Sequence, residues 1–422
     1  MENIIKTYPC GLRMIVRQMP NFKSVATSVY VGVGSRDEES DEHGLSHFVE
    51  HMLFKGTETR KGEEIAQTLS NLGVEYNAYT STNATCYHTR GLITNLDTCC
   101  DILSDMYFNM KFADDEFYRE ADVIIQEIAM RDDHPRSALS ELCALTFFDG
   151  TPYGHSIAGT IKDVRSFKPA DIHKYVKKHY TASNTVIAFA GDISLAQAEL
   201  MIKKYFLSKF KGKAKPNLRV LEDKKLIPQS KFAKRKKSIE QQNIAVLFPA
   251  CNSSHDDKYT LTFVNEIMSA DMSSRLFLSV RDKLGLVYSI SGGLHLTPLG
   301  GYYYIWFSCT PKNTETVLKT IAAEIARFKK DGVTADEMQK VKNQKQSERL
   351  FEGENVELVN QRNVTLLSEF NAIETTEQFL AKINKITAAD VFATAQKYLN
   401  YDNAIVAAVG PAIKGKPFEI LK

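Results

Sequence analysis

Val186-Ile187-Ala188-Phe189-Ala190-Gly191 is a run of six residues with no polar side chain, and Ile405-Val406-Ala407-Ala408-Val409-Gly410 repeats it. Each run follows an asparagine, Asn184 or Asn403, and farther upstream an acidic-apolar pair, Asp171-Ile172 or Asp390-Val391. The Asp, Asn and Gly of the two segments share one offset of 219 (390 − 171, 403 − 184, 410 − 191). Both segments read as an amphipathic helix, a polar turn and a buried strand ending at glycine. Two further echoes widen the repeat: Leu72-Gly73-Val74-Glu75-Tyr76 with Leu284-Gly285-Leu286-Val287-Tyr288, and Asp115-Glu116-Phe117 with Asp336-Glu337-Met338. A repeat spread over so much of the chain predicts a duplicated domain.

The length agrees, because 422 residues exceed what one core serves and suit two domains of about 200 residues each. Between the halves, Lys211 to Ser238 is dense in lysine, carries Pro216 and Pro228, and has no apolar period. The expected organisation is an N-terminal domain over 1–212, an exposed Lys-rich linker over 213–235, and a homologous C-terminal domain over 236–422. Within each half, β-branched runs such as Val25 to Val33 alternate with helical patterns at about Gly44 to Phe54, Lys61 to Leu72, Leu96 to Asn109 and Asp114 to Arg131. The fold class is therefore α+β. Each domain should be a mixed, largely antiparallel sheet with helices packed on one face.

Composition excludes several function classes. A net charge of +2 with dispersed carriers argues against nucleic acid and against an anionic membrane surface as partners. No apolar run approaches the twenty or so residues that span a bilayer, and Met1-Glu2-Asn3-Ile4-Ile5-Lys6 has no secretory pattern. The seven cysteines are odd in number and form no C-x-x-C pair, which favours reduced, buried thiols and a cytoplasmic location.

The chemistry is concentrated in His47-Phe48-Val49-Glu50-His51. On a helix, residues four apart share a face, so His47 and His51 can grip one metal ion, with Glu50 beside it. This order, H-x-x-E-H, inverts the zinc-protease signature H-E-x-x-H. A carboxylate at Glu50 can take a proton from a water on the metal. A catalytic zinc needs a third protein ligand. The helix from Asp114 offers Glu116, Glu120, Asp122 and Glu127; Glu120 and Glu127 lie two turns apart on one face, and periodicity leaves the choice open.

These residues carry a resemblance. His43-Gly44-Leu45-Ser46 leads into the motif, and Met52-Leu53-Phe54-Lys55-Gly56-Thr57, Asn77-Ala78-Tyr79-Thr80-Ser81, Glu120-x-x-Val123-Ile124-x-x-Glu127 and Pro152-Tyr153-Gly154-His155 follow. Over nearly its whole length the chain resembles the inverzincin metallopeptidases related to pitrilysin and the mitochondrial processing peptidase, in particular their short bacterial branch. The resemblance implies one Zn2+ per chain held by His47, His51 and Glu127, with Glu120 orienting the site and Glu50 as general base. It also implies that Arg281 and Tyr288, from the half that lacks the zinc motif, stabilise the oxyanion. Asn77, Ala78 and Tyr79 are the expected substrate-binding edge strand, which an extended peptide would join through its backbone. The resulting expectation is a zinc endopeptidase acting on short or unfolded peptides in a chamber between its domains. It would work as a homodimer in which a second copy supplies Arg281 and Tyr288. The rival expectation is a non-catalytic peptide-binding or scaffold relative. Asn83 stands near where the family commonly has a glutamate.

Overall fold

The computed structural model describes residues 3–218, 226, 231–411 and 419. Contacts divide the chain into two compact units that do not follow chain order. One comprises Met1–Ala129, His155–Arg219 and Leu350–Glu374; the other comprises Met130–Gly154, Val220–Arg349 and Thr375–Lys422.

The first unit is built on strands β1 (Asn3–Thr7), β2 (Arg13–Gln18), β3 (Ser24–Val31), β4 (Glu75–Thr80), β5 (Thr85–Leu92) and β6 (Thr185–Gly191). Their order is β1-β2-β6-β3-β5-β4. Only β2 and β6 run parallel; the other neighbours are antiparallel. Helices α1 (Leu45–Leu53), α2 (Gly62–Asn71), α3 (Leu96–Asn109), α4 (Asp114–Asp133), α5 (Pro135–Phe147), α6 (Ile161–Ser166), α7 (Pro169–His179) and α8 (Leu195–Ile202) follow in chain order. All of these except α5 and the last turn of α4 belong to the first unit.

The second unit's strands are β7 (Phe232–Lys236), β8 (Gln242–Ala250), β9 (Ser289–Thr297), β10 (Gly300–Cys309) and β11 (Ile405–Gly410), in the order β7-β11-β8-β10-β9. Here β7 and β11 are the parallel pair. The later helices are α9 (Asp257–Asn265), α10 (Thr314–Asp331), α11 (Ala335–Gly353), α12 (Val356–Phe370), α13 (Thr376–Lys385) and α14 (Ala388–Tyr398). Of the expected linker, residues 219–225 and 227–230 lie outside the described residues.

The twin apolar strands are now explained. In β6, Ile187 and Phe189 join the core under the main helical layer, whereas Val186 and Ala188 pack with Val364 and Leu367 of α12. In β11, Val406 and Ala408 face the main core of the second unit, and Ile405, Ala407 and Val409 pack with Ala138, Leu139 and Cys143 of α5. A strand buried on both faces loses the apolar-polar alternation and reads as a continuous run. The helical layer thus lies on one face, as expected, and a single helix closes the middle of the opposite face. That helix is exchanged: α5, from the first half of the sequence, serves the second sheet, and α12 serves the first. The terminal glycines are required too. Gly191 and Gly410 have φ of +134° and +149°, a region that favours glycine. A Cβ on Gly191 would collide with the Ser24 carbonyl, and one on Gly410 would lie 2.8 Å from the Gln241 carbonyl oxygen.

Candidate metal centre

Helix α1 starts at Gly44, whose φ of +100° lets the chain turn sharply into it. A Cβ there would sit 2.7 Å from the Ala158 carbonyl oxygen. The exposed N–H groups of the first turn are answered by Glu38, whose fully buried carboxylate accepts from Gly44 N and Ser46 N, both at 2.8 Å. A carboxylate at a helix N-terminus also suits the helix dipole. Leu45, Phe48, Val49, Met52 and Leu53 bury one side of α1. His47, Glu50 and His51 are left half-buried on the other.

Helix α4 crosses this open face. It anchors itself through Phe117, Ala121, Ile124 and Ile128, and buries Glu120 among them. Glu127 lies two turns farther along, with its carboxylate 3.7 Å from His47 Nε2 and 3.5 Å from His51 Nε2. The ligand atoms of His47, His51 and Glu127 all fall within 4.8 Å of one another. Ligands about 2.0–2.2 Å from a tetrahedral zinc are roughly 3.4 Å apart, so the two separations to Glu127, 3.7 and 3.5 Å, are close to what a shared ion requires. Chemistry agrees with geometry. His51 Nδ1 donates to Glu120 Oε1 at 2.7 Å, which leaves the Nε2 lone pair directed toward Glu127. Glu50, Glu120 and Glu127 bring three negative charges against the one ammonium of Lys55, and a divalent cation balances that excess.

Glu120 is 6% exposed and holds two partners, His51 and Lys55, whose Nζ lies 2.5 Å from Oε2. Burial alone would raise its pKa, but the hydrogen bonds from His51 and Lys55 hold it below the usual carboxylate value. For Glu50 burial dominates and its pKa is raised, against the opposing pull of a Thr80 hydrogen bond and of His51. Burial would lower the pKa of His51, yet Glu120, Glu127 and Glu50 together raise it.

Two residues of this centre were absent from the sequence-derived set. Thr80, at the end of β4, donates from Oγ1 to Glu50 Oε2 at 2.6 Å. It shares parity with Tyr76 and Ala78, which pack against the core beneath α1, and that period of two was the available signal. Lys55 stands just past the end of α1 at Leu53, where its ammonium meets the second carboxylate oxygen of Glu120.

The expected edge strand is at the edge: β4 is the outermost strand of its sheet. Asn77 is exposed, and its Oδ1 accepts from Ala78 N at 2.9 Å. Tyr79 turns to the opposite face, where its hydroxyl donates to Gln361 of α12 at 2.9 Å, so only its backbone is offered along the edge. Asn83 donates to Glu369 at 3.0 Å. Arg281 and Tyr288 lie in the second unit. Arg281 belongs to a π-helical stretch, Phe277–Lys283. Its guanidinium lies 4.6 Å from the Phe277 ring and 5.5 Å from that of Tyr288. Tyr288 is 86% exposed, where a hydrophobic pattern alone would bury it.

Comparison with known proteins adds an independent line. Residues 13–161 match the family model described as insulinase (peptidase family M16), and residues 166–345 match that of the peptidase M16 inactive domain. YmxG of Bacillus subtilis (strain 168), named an uncharacterized zinc protease, is 30% identical over 415 residues, covering 97% of this chain and 99% of its own. An uncharacterized zinc protease of Rickettsia felis is 31% identical over 402 residues, covering 95% and 96%. Among solved structures, a protease from Helicobacter pylori shares the fold with a TM-score of 0.88 at 21% identity, over 97% of this chain and 99% of that one. A peptidase M16 inactive domain from Pseudomonas fluorescens does so with a TM-score of 0.86 at 19% identity, over 99% and 100%.

Proposed function

The chain belongs to peptidase family M16, and from that premise we propose that it is a zinc-dependent endopeptidase cleaving short or unfolded peptides. The observation that carries this reading is the convergence of His47, His51 and Glu127 beside a Glu50 carboxylate already fixed by Thr80. His47 and His51 through Nε2, and Glu127 through its carboxylate, would hold one ion. A bound zinc supplies Lewis acidity, which lowers the pKa of water at the site toward neutrality. Glu50 takes the proton of the attacking water and returns it to the leaving amine. Thr80 fixes which carboxylate oxygen is free for that transfer. Glu120 and Lys55 hold the His51 ring in its productive orientation. The open edge of β4 accepts the substrate backbone as an added strand, with little side-chain preference.

The oxyanion needs a donor, and the exposed Tyr288 with its neighbour Arg281 fits that role when supplied by a second copy. The working enzyme would then be a homodimer. Its cytoplasmic placement is supported by seven buried cysteines, all free. The test is hydrolysis of a quenched peptide: chelation should abolish it and zinc restore it. Mixing Glu50→Gln chains with Arg281→Ala chains should recover part of the activity. No recovery despite demonstrated subunit exchange would remove the shared-site dimer while leaving the peptidase.

A further inference from the structure

We propose that the second unit holds a binding site for a small planar carboxylate, in the cavity between α5 and the outer strands β9 and β10. The cavity measures about 180 Å3, and Arg136, His295, Tyr302, Tyr304 and Trp306 are among its walls. Its origin is local. Tyr302, Tyr304 and Trp306 alternate along β10 and so stand on one face, the face that α5 covers mainly over β7, β8 and β11. Trp306 is paired across the sheet with Ala245, and Tyr304 with Gly293. Ala245 is too small to fill the space beside the Trp306 ring, and the Tyr304 ring lies over Gly293.

The lining selects for charge, shape and size. Arg136 lies at the mouth, its guanidinium 4.3 Å above the Trp306 ring, and among the described residues the lining includes no carboxylate to pair with it. A lone guanidinium without an acid favours an anion, and its fork suits a carboxylate. His295 is stacked on Tyr302, with ring centroids 5.0 Å apart, and Phe148 packs against the edge of both, 5.7 Å from His295 and 6.1 Å from Tyr302. Burial pulls the His295 pKa below its ordinary value, so the neutral ring can donate or accept. Flat aromatic walls favour a flat ligand. A cavity of about 150 Å3 takes a single benzene ring, so 180 Å3 suits one ring bearing one carboxylate and leaves no room for a folded partner. The site shares no residue with the metal centre.

The protein has one tryptophan, so intrinsic fluorescence reports on this wall alone. Full-length protein is titrated with benzoate, benzamide and benzylammonium. Benzoate should quench or shift the emission saturably, benzamide should bind at least about tenfold more weakly, and benzylammonium should not bind. Arg136→Ala, a substitution at an exposed position, should weaken benzoate by about tenfold or more and leave peptide hydrolysis unchanged. A linear response with no saturation, equal responses to the three probes, or benzoate binding that survives Arg136→Ala overturns the site. Saturable binding of acetyl-phenylalanine in place of benzoate also overturns it, by assigning the pocket to peptide C-termini.

Discussion

Thr80→Val removes one hydroxyl and nothing else of substance from the metal centre. The variant keeps the branched shape and the strand, and loses the 2.6 Å hydrogen bond to Glu50 Oε2. A hydrogen bond to a charged group contributes about 1.5–3 kcal/mol. Glu50 is half-buried, so water replaces that bond only in part, and the carboxylate regains rotamer freedom. If the bond holds the base in its working position, most of this energy is lost from the transition state. The expected fall in kcat is then about tenfold to a hundredfold, with KM little changed because the edge of β4 is intact. Zinc content should stay that of the wild type, since His47, His51 and Glu127 are untouched. Thr80→Ser restores the hydroxyl and should recover most of the rate. The assay is steady-state hydrolysis of a quenched peptide beside metal analysis of the same samples. A kcat for Thr80→Val within about twofold of wild type, or a serine variant as slow as the valine one, would refute the positioning argument.

Other consequences are equally direct. Lys55→Ala and Glu120→Gln should each weaken zinc binding by about tenfold to a hundredfold in a chelator competition, whereas Lys55→Arg should stay near wild type; unchanged affinity in all three contradicts the relay to His51. Gly191→Ala forces a Cβ into the Ser24 carbonyl at φ +134°, so the unfolding free energy from urea titration should fall by at least the roughly 1–3 kcal/mol of a strained backbone, and an unchanged urea midpoint would show that the strand end relaxes freely. Asp105 would be raised by burial, but Asn109, Thr57, Thr59 and Arg60 together lower its pKa below 3.8. A depressed native pKa stabilises the fold above the unfolded value and loses that contribution as pH falls through the native one. Asp105→Asn should therefore flatten the acid limb of stability below about pH 4, and an identical limb in both proteins would contradict the assignment.

The duplication, the α+β class and the span of α3 were legible because they rest on repeated anchors and long periodic runs. Helix α1 carries its metal face in five residues, and Glu127 could be reached only through resemblance, since Glu120 shares its face. Thr80 and Lys55 were hidden for a different reason. A strand residue's partner lies across space, and neither a threonine nor a lysine advertises which carboxylate it meets. The exchange of α5 and α12 was illegible for the same cause: an amphipathic helix declares that it has an apolar face, not which sheet will cover it. Only the twin strands held a trace of the exchange, in apolar runs too continuous for a sheet covered on one side.

The most direct test of the metallopeptidase reading is the turnover of wild type against Glu50→Gln at matched zinc content, on one quenched peptide. The two proteins should each carry one zinc per chain, and only the wild type should cleave, with the variant slower by about a thousandfold or more. Equal cleavage by both, or no cleavage by a fully zinc-loaded wild type, would contradict it.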